Sequence, residues 1–186
     1  AFGTAHRAHA TTHGGAERLP AVAGNLMARE LEMLGTVLAA PRRPLVAIVG
    51  GSKISSKIGV VRSLLQRVDT LWIGGAMACT FYRALGEETG TSLVEPDEVG
   101  VAEELLEFSR QGGADLKLPI DCVVVPQPAA GQPTTVTAWK GIPADQAMVD
   151  VGPETVAAMA ADIAAAATVV WNGPLGIYEI EEFAHG

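Results

Sequence analysis

The 186 residues hold 21 acidic against 13 basic side chains, a formal charge of −8, which leaves no basic stripe for nucleic acid or an anionic lipid surface to grip. Apolar residues make up 48% and aromatics only 5%, a composition that excludes a disordered or coiled-coil chain and fits an α/β protein. Cys79 and Cys122 stand in apolar surroundings and are expected as buried thiols in a reducing compartment, with a disulfide as the alternative.

Residues 1–20 are rich in Gly, Ala, His and Thr without a clear period and read as a loop or the margin of a neighbouring domain. Residues 25–40 read as a helix: Leu26, Met27, Leu31, Leu34, Val37 and Leu38 recur at helical spacing, and Pro41 and Pro44 stop it. The pattern then alternates. Strand-like runs lie at 45–49, 70–73, 122–125, 148–151 and 168–171, and helical runs at 54–66, 76–85, 98–111 and 154–165. Strands apolar on both faces and separated by helices predict a three-layer α/β architecture, a mostly parallel open sheet with helices on both faces. The Pro- and Thr-rich segment 129–141 departs from this as an antiparallel excursion or an exposed hairpin, and the acidic cluster 87–107 reads as a solvated helical face. The Ala-rich stretch 157–171, interrupted by Asp162, is too short to span a bilayer. No signal peptide is read at the start and both ends look cut from something longer, so a soluble cytoplasmic protein is expected.

The chemistry concentrates at Gly50-Gly51-Ser52-Lys53-Ile54-Ser55-Ser56-Lys57, directly after the first strand. A helix start carries partial positive charge and normally attracts Asp or Glu, yet here two lysines four residues apart stand without a carboxylate. A phosphate-bearing ligand resolves that conflict; a tight turn with solvated lysines is the plainer alternative. Four of the five strands end in glycine, at Gly50-Gly51, Gly74-Gly75, Gly152 and Gly173, and the carboxyl ends of parallel strands share one edge where ligands bind. The P-loop pattern is absent and no Gly-x-Gly-x-x-Gly opens a helix, so the residues alone stop at a phosphate ligand on an open α/β sheet.

Five segments together resemble phosphoglycerate kinase over essentially the whole chain. They are residues 1–9 (Ala-Phe-Gly-Thr-Ala-His-Arg-Ala-His), 50–57, 73–77 (Ile-Gly-Gly-Ala-Met), 151–154 (Val-Gly-Pro-Glu) and 170–179 (Val-Trp-Asn-Gly-Pro-Leu-Gly-Ile-Tyr-Glu). The resemblance implies a Rossmann-like nucleotide-binding domain and magnesium-dependent phosphoryl transfer between 1,3-bisphosphoglycerate with ADP and 3-phosphoglycerate with ATP. It implies residues 1–22 as the tail of a substrate domain, 23–40 as an interdomain helix and 41–186 as a nucleotide-binding domain without its C-terminal part. Gly3, His6 and Arg7 would bind phosphoglycerate, and Arg7, Lys53 and Lys57 would be catalytic. The nucleotide would contact Gly50, Gly51, Ser52, Lys53, Lys57, Gly74, Gly75, Gly152, Asn172, Pro174 and Glu179, with Glu179 on the ribose hydroxyls. The magnesium-contacting Asp would lie outside the chain, and no metal ligand is assigned within it. The spacing of His6, His9 and His13 lacks the Cys or carboxylate partners a zinc site needs. At full length the resemblance implies a monomer acting on small molecules.

Three positions depart from the family pattern: Ser56 stands where Asp is usual, Ala76 replaces a third glycine, and Asn25 stands where an apolar aromatic is common. The remaining substrate arginines and a later glycine-rich Asp segment are not among these residues, so the chain as given is expected not to turn over. A nicotinamide-dependent oxidoreductase and a non-catalytic nucleotide-binding module are the competing readings.

Overall fold

The computed structural model describes residues 8–186, which divide into two units between Arg42 and Arg43. The first contains a helical turn at Ala10–Gly14 and the helix α1 (Asn25–Ala39). α1 starts after Gly24 without a side-chain cap and stops just before Pro41, as its sequence pattern anticipates.

The second unit begins with β1 (Leu45–Val49), α2 (Ile58–Leu65), β2 (Thr70–Ile73), α3 (Met77–Ala84), α4 (Val99–Arg110) and β3 (Asp115–Lys117). It continues through β4 (Asp121–Val125), β5 (Thr135–Ala138), β6 (Ala147–Val151), α5 (Pro153–Ala165) and β7 (Thr168–Asn172). Four strands build a wholly parallel sheet in the order β3-β2-β1-β7. β1 is central and buried at all five positions, which is why it reads as an unbroken apolar run. From β1 the chain steps outward to β2 and β3 on one side and later reaches β7 on the other. The right-handed rule for crossovers within a parallel sheet predicts α2 and α4 on one face; the two helices are in contact. Asp162 ties α5 to the sheet: its carboxylate accepts from Trp72 Nε1 of β2 at 2.7 Å and from Lys117 Nζ of β3 at 2.8 Å.

The α/β class holds, with a difference in how the strands are shared. The runs at 122–125 and 148–151 do not join the parallel sheet; as β4 and β6 they form a second, antiparallel sheet in the order β5-β4-β6. A strand buried on both faces shows the same apolar run whichever way its neighbours travel, so the sequence pattern did not separate the two sheets. β5 makes the Thr-rich segment an antiparallel partner of β4. β3, only Asp-Leu-Lys, is too short and polar to have been read as a strand. Val123, Val125 and Val149 pack with Phe183 in a core of this second sheet, covered by Ile177 and Ile180.

Cys79 and Cys122 are free and fully buried, and burial first of all pushes their thiols up to about 11 and about 12. Among the described residues no helix is long and apolar enough to cross a membrane.

Candidate functional site

The loops that leave the carboxyl ends of β1, β2 and β7 converge where the strand order reverses, between β1 and β7, the place in such sheets where a crevice opens. Backbone hydrogen bonds knit them together. Gly50 N–H donates to the Asn172 carbonyl at 2.9 Å, Gly74 N–H to Val49 at 2.9 Å, and Met77 N–H to Gly51 at 3.0 Å.

The strand-end glycines serve this mutual approach. A Cβ on Gly75, whose φ is +68°, would lie 2.4 Å from the Gly51 carbonyl oxygen; one on Gly50 would lie 2.1 Å from the Pro174 carbonyl oxygen. Reading all of them as openings toward a ligand is therefore corrected. Gly51 and Gly75 line the cavity described below, whereas Gly50 and Gly74 pack behind it, Gly74 against the Leu175 side chain. Gly152 is corrected further: it follows β6 of the other sheet, off that common edge, and a Cβ there would meet the Asp121 carboxylate at 2.3 Å.

The two lysines are also placed differently from the helical reading. α2 begins at Ile58, so Lys53 lies in the loop and Lys57 is the residue that caps the helix, without a side-chain capping bond. They do not share a helix face. Both nevertheless border the same cavity, and neither has a carboxylate within ion-pair distance among the described residues. The Lys57 ammonium donates to Asn172 Oδ1, a neutral acceptor, and burial holds its pKa below the usual lysine value. A half-buried lysine with only an amide for company favours an incoming anion, which would restore the ionised form's stabilisation. The first turn of α2 contains no acidic residue, so its free N–H groups add to the same positive field. Ser56, where the resembled family usually has Asp, donates its hydroxyl to the Lys53 carbonyl at 2.9 Å.

The cavity measures about 660 Å³, large enough for a nucleotide-sized ligand. The loops after β1 and β2 line it with Gly51, Ser52, Lys53, Ser56, Lys57 and Gly75. The rest of the lining is Thr91, Leu93, Pro128, the β6 residues Ala147, Met148 and Val149, and Pro174 with residues 176–179 after β7. Ala76, which stands where the resembled family has a third glycine, lines it too. Of the sequence-predicted nucleotide contacts, Gly51, Ser52, Lys53, Lys57, Gly75, Pro174 and Glu179 share this lining. Asn172 stands one contact behind it, through Lys57. Gly3, His6 and Arg7 lie outside the described residues.

Thr91, Leu93, Pro128 and the β6 residues were missed. Thr91 and Leu93 sit in an irregular stretch that the acidic pattern disguised as a solvated helix; the described helix there starts only at Val99. The β6 contribution depends on how the two sheets meet, for which the linear pattern carries no signal.

A magnesium ion would need several oxygen donors gathered at the cavity. Among the described residues no group of three or more His, Cys, Asp or Glu gathers to hold a metal, and Glu179 is the one carboxylate on the cavity lining. These residues do not form a cage for the ion.

Comparison with known proteins identifies relatives of the whole chain. The family model described as phosphoglycerate kinase matches residues 1–186. The chain is 52% identical over 186 residues to the phosphoglycerate kinase of Moorella thermoacetica, covering all of this chain and 47% of that protein. It is 50% identical over 186 residues to that of Chloroflexus aurantiacus, covering all of this chain and 46% of the relative. The structure of phosphoglycerate kinase from Coxiella burnetii superposes with a TM-score of 0.88 at 41% identity, over the whole chain and 48% of that structure. That from Pyrococcus horikoshii gives 0.84 at 28% identity, over the whole chain and 47% of that structure. The chain thus spans about half the length of the curated relatives it matches.

Proposed function

This chain belongs to the phosphoglycerate kinase family, and from that premise we propose that it carries the nucleotide half of a reversible phosphoryl transfer. The reaction is that between 1,3-bisphosphoglycerate with ADP and 3-phosphoglycerate with ATP, a glycolytic step on small molecules in the cytoplasm. The observation that carries the reading is the pair Lys53 and Lys57, neither in an ion pair among the described residues, on a cavity that Leu93, Met148 and Val149 also line.

Phosphoryl transfer asks little covalent chemistry of the protein; it asks for in-line positioning and fixed positive charge around the moving group. Lys57, aligned by Asn172, meets the phosphate chain, and Lys53 flanks it from the loop. Ser52, Gly51 and Gly75 bring backbone N–H groups close, Pro174 closes the floor, and Glu179 accepts from the ribose hydroxyls. The base lies against Leu93, Met148 and Val149. Magnesium, for which the described residues offer no cage, would have to arrive with the nucleotide. Gly3, His6 and Arg7 hold the phosphoglycerate, residues 23–40 connect that side to the nucleotide side at 41–186, and the whole enzyme is a monomer.

Calorimetry on the chain tests the reading: ADP binds and NADH does not. A coupled assay with the chain alone yields no ATP, since the partners of the phosphoglycerate site are not all among its residues. Binding of NADH in place of ADP contradicts the function, and robust ATP formation contradicts the assignment of half the reaction.

A further inference from the structure

Residues 50–57 connect β1 to α2 without regular structure, so their shape depends on a few contacts. Two are internal: Lys57 N–H donates to the Ile54 carbonyl at 2.8 Å and Ser56 Oγ to the Lys53 carbonyl at 2.9 Å. The contact that holds the outer side comes from 40 residues further along. Glu95 accepts the Ser55 N–H at 3.0 Å with one carboxylate oxygen and the Ser55 hydroxyl at 2.5 Å with the other. Glu95 is anchored in turn, its own N–H donating at 3.2 Å to Oγ1 of Thr80, a buried residue of α3. Ser55 lies between the two lysines in sequence, and Glu95 is not on the cavity lining.

We infer that Glu95 is a positioning residue for the lysine loop of the site, holding Ser55 so that Lys53 and Lys57 face the anionic part of the ligand. The inference rests on the nucleotide reading above. A carboxylate suits the task because Ser55 offers two donors side by side and both carboxylate oxygens accept, whereas an amide would turn a donor toward one of them. Burial pushes the Glu95 carboxyl up, but the Ser55 bonds, a bond from the Ile54 backbone and the Lys53 charge outweigh it and leave its pKa below the ordinary value. Glu95 is thus an ionised acceptor at neutral pH.

Charge and position make opposite predictions, which makes the inference sharp. Glu95 places a negative charge beside Lys53, so if it acted only through its field, removing it would tighten binding of an anion. As a positioning residue, its removal weakens that binding. Adenosine, ADP and tripolyphosphate are titrated by calorimetry into the unaltered chain, Glu95→Gln, Glu95→Ala, Ser55→Ala and the Ser55→Ala/Glu95→Ala pair. Glu95→Ala is expected to weaken ADP and tripolyphosphate about tenfold while adenosine stays within about twofold, a pattern that general loss of folding would not give. Glu95→Gln is expected to fall between, and the double variant to be no weaker than Glu95→Ala by more than about twofold, because the two residues act through one contact. Unchanged or tighter ADP and tripolyphosphate binding in Glu95→Ala overturns the inference, as do additive effects in the double variant. If the unaltered chain binds tripolyphosphate but not ADP, the nucleotide reading fails while the tripolyphosphate arm still decides on Glu95. Binding of neither overturns both.

Discussion

The lysine loop and the β6 strand that line the cavity belong to different sheets, and on the proposed reading they ask different things of a ligand. The first belongs to the loops of the parallel sheet, where Gly50, Gly75 and Gly173 let three turns press together and Lys53 and Lys57 supply charge. The second contributes Ala147, Met148 and Val149 from the antiparallel sheet, beside Thr91 and Leu93. On that reading the loop backbone and the two lysines select an anion, and the apolar side chains accept a base by burial. Because separate elements carry the two tasks, binding of phosphate and of base should be separable by mutation.

The largest effect is expected where the loops meet. Gly75→Ala places a Cβ 2.4 Å from the Gly51 carbonyl oxygen at a φ of +68°, so both contact and backbone are strained. Urea denaturation should show a loss of about 3 kcal/mol. Gly131→Ala has a similar φ of +74° but open space around it, and should cost only about 1 kcal/mol. Equal losses would mean that backbone strain alone, and not the close approach of the loops, makes Gly75 necessary.

Lys57→Ala separates the two tasks directly. ADP affinity should fall about 100-fold, about 2.7 kcal/mol, with adenosine within about twofold, since only a charge-assisted contact to phosphate disappears. A parallel loss for adenosine would break the division of labour.

Alkaline unfolding examines the surroundings of β6, where Cys79 lies 3.7 Å from the Met148 sulfur and Cys122 sits in β4. Burial raises both thiols in the folded chain, to about 11 and about 12, above the value of 9.0 expected when unfolded. Between those values the unfolded chain has released protons that the folded chain still holds, so stability is full below about pH 9 and declines as pH rises through the window. The slope is about 1.4 kcal/mol per pH unit for each thiol. Denaturation at pH 8, 9 and 10 reads it, and serine at both positions should flatten it. A slope unaffected by serine would place its origin elsewhere.

The smallest effect is Leu93→Ala, at a half-exposed residue of the lining. It should weaken ADP and adenosine by the same factor, about fivefold or about 1 kcal/mol. A loss confined to ADP would show that Leu93 senses phosphate.

The loop and the strand also differed in how legible they were before any coordinates. The lysine loop was readable because its signals are local: β1 is a five-residue apolar run, and two lysines without a carboxylate follow it at once. Even there the mechanism was partly misread. The lysines do not share a helix face, because α2 starts only at Ile58, and several glycines face other loops instead of a ligand. The β6 contribution was unreadable because Val149 owes its place to how β6 pairs with β4 across more than twenty residues, and a buried strand looks alike in either kind of sheet. Glu95 was hidden for a related reason: among acidic neighbours, one carboxylate that reaches Ser55 looks like any solvated one.

The central claim is that two loop lysines make this cavity a site for a phosphate-bearing nucleotide. It is tested most directly by the affinities of ADP and adenosine for the unaltered chain at about 50 mM and about 500 mM salt, where screening of charges differs strongly. ADP should bind at least about tenfold tighter than adenosine at the lower salt, with the margin shrinking at the higher. Equal affinities, or a margin indifferent to salt, would contradict it.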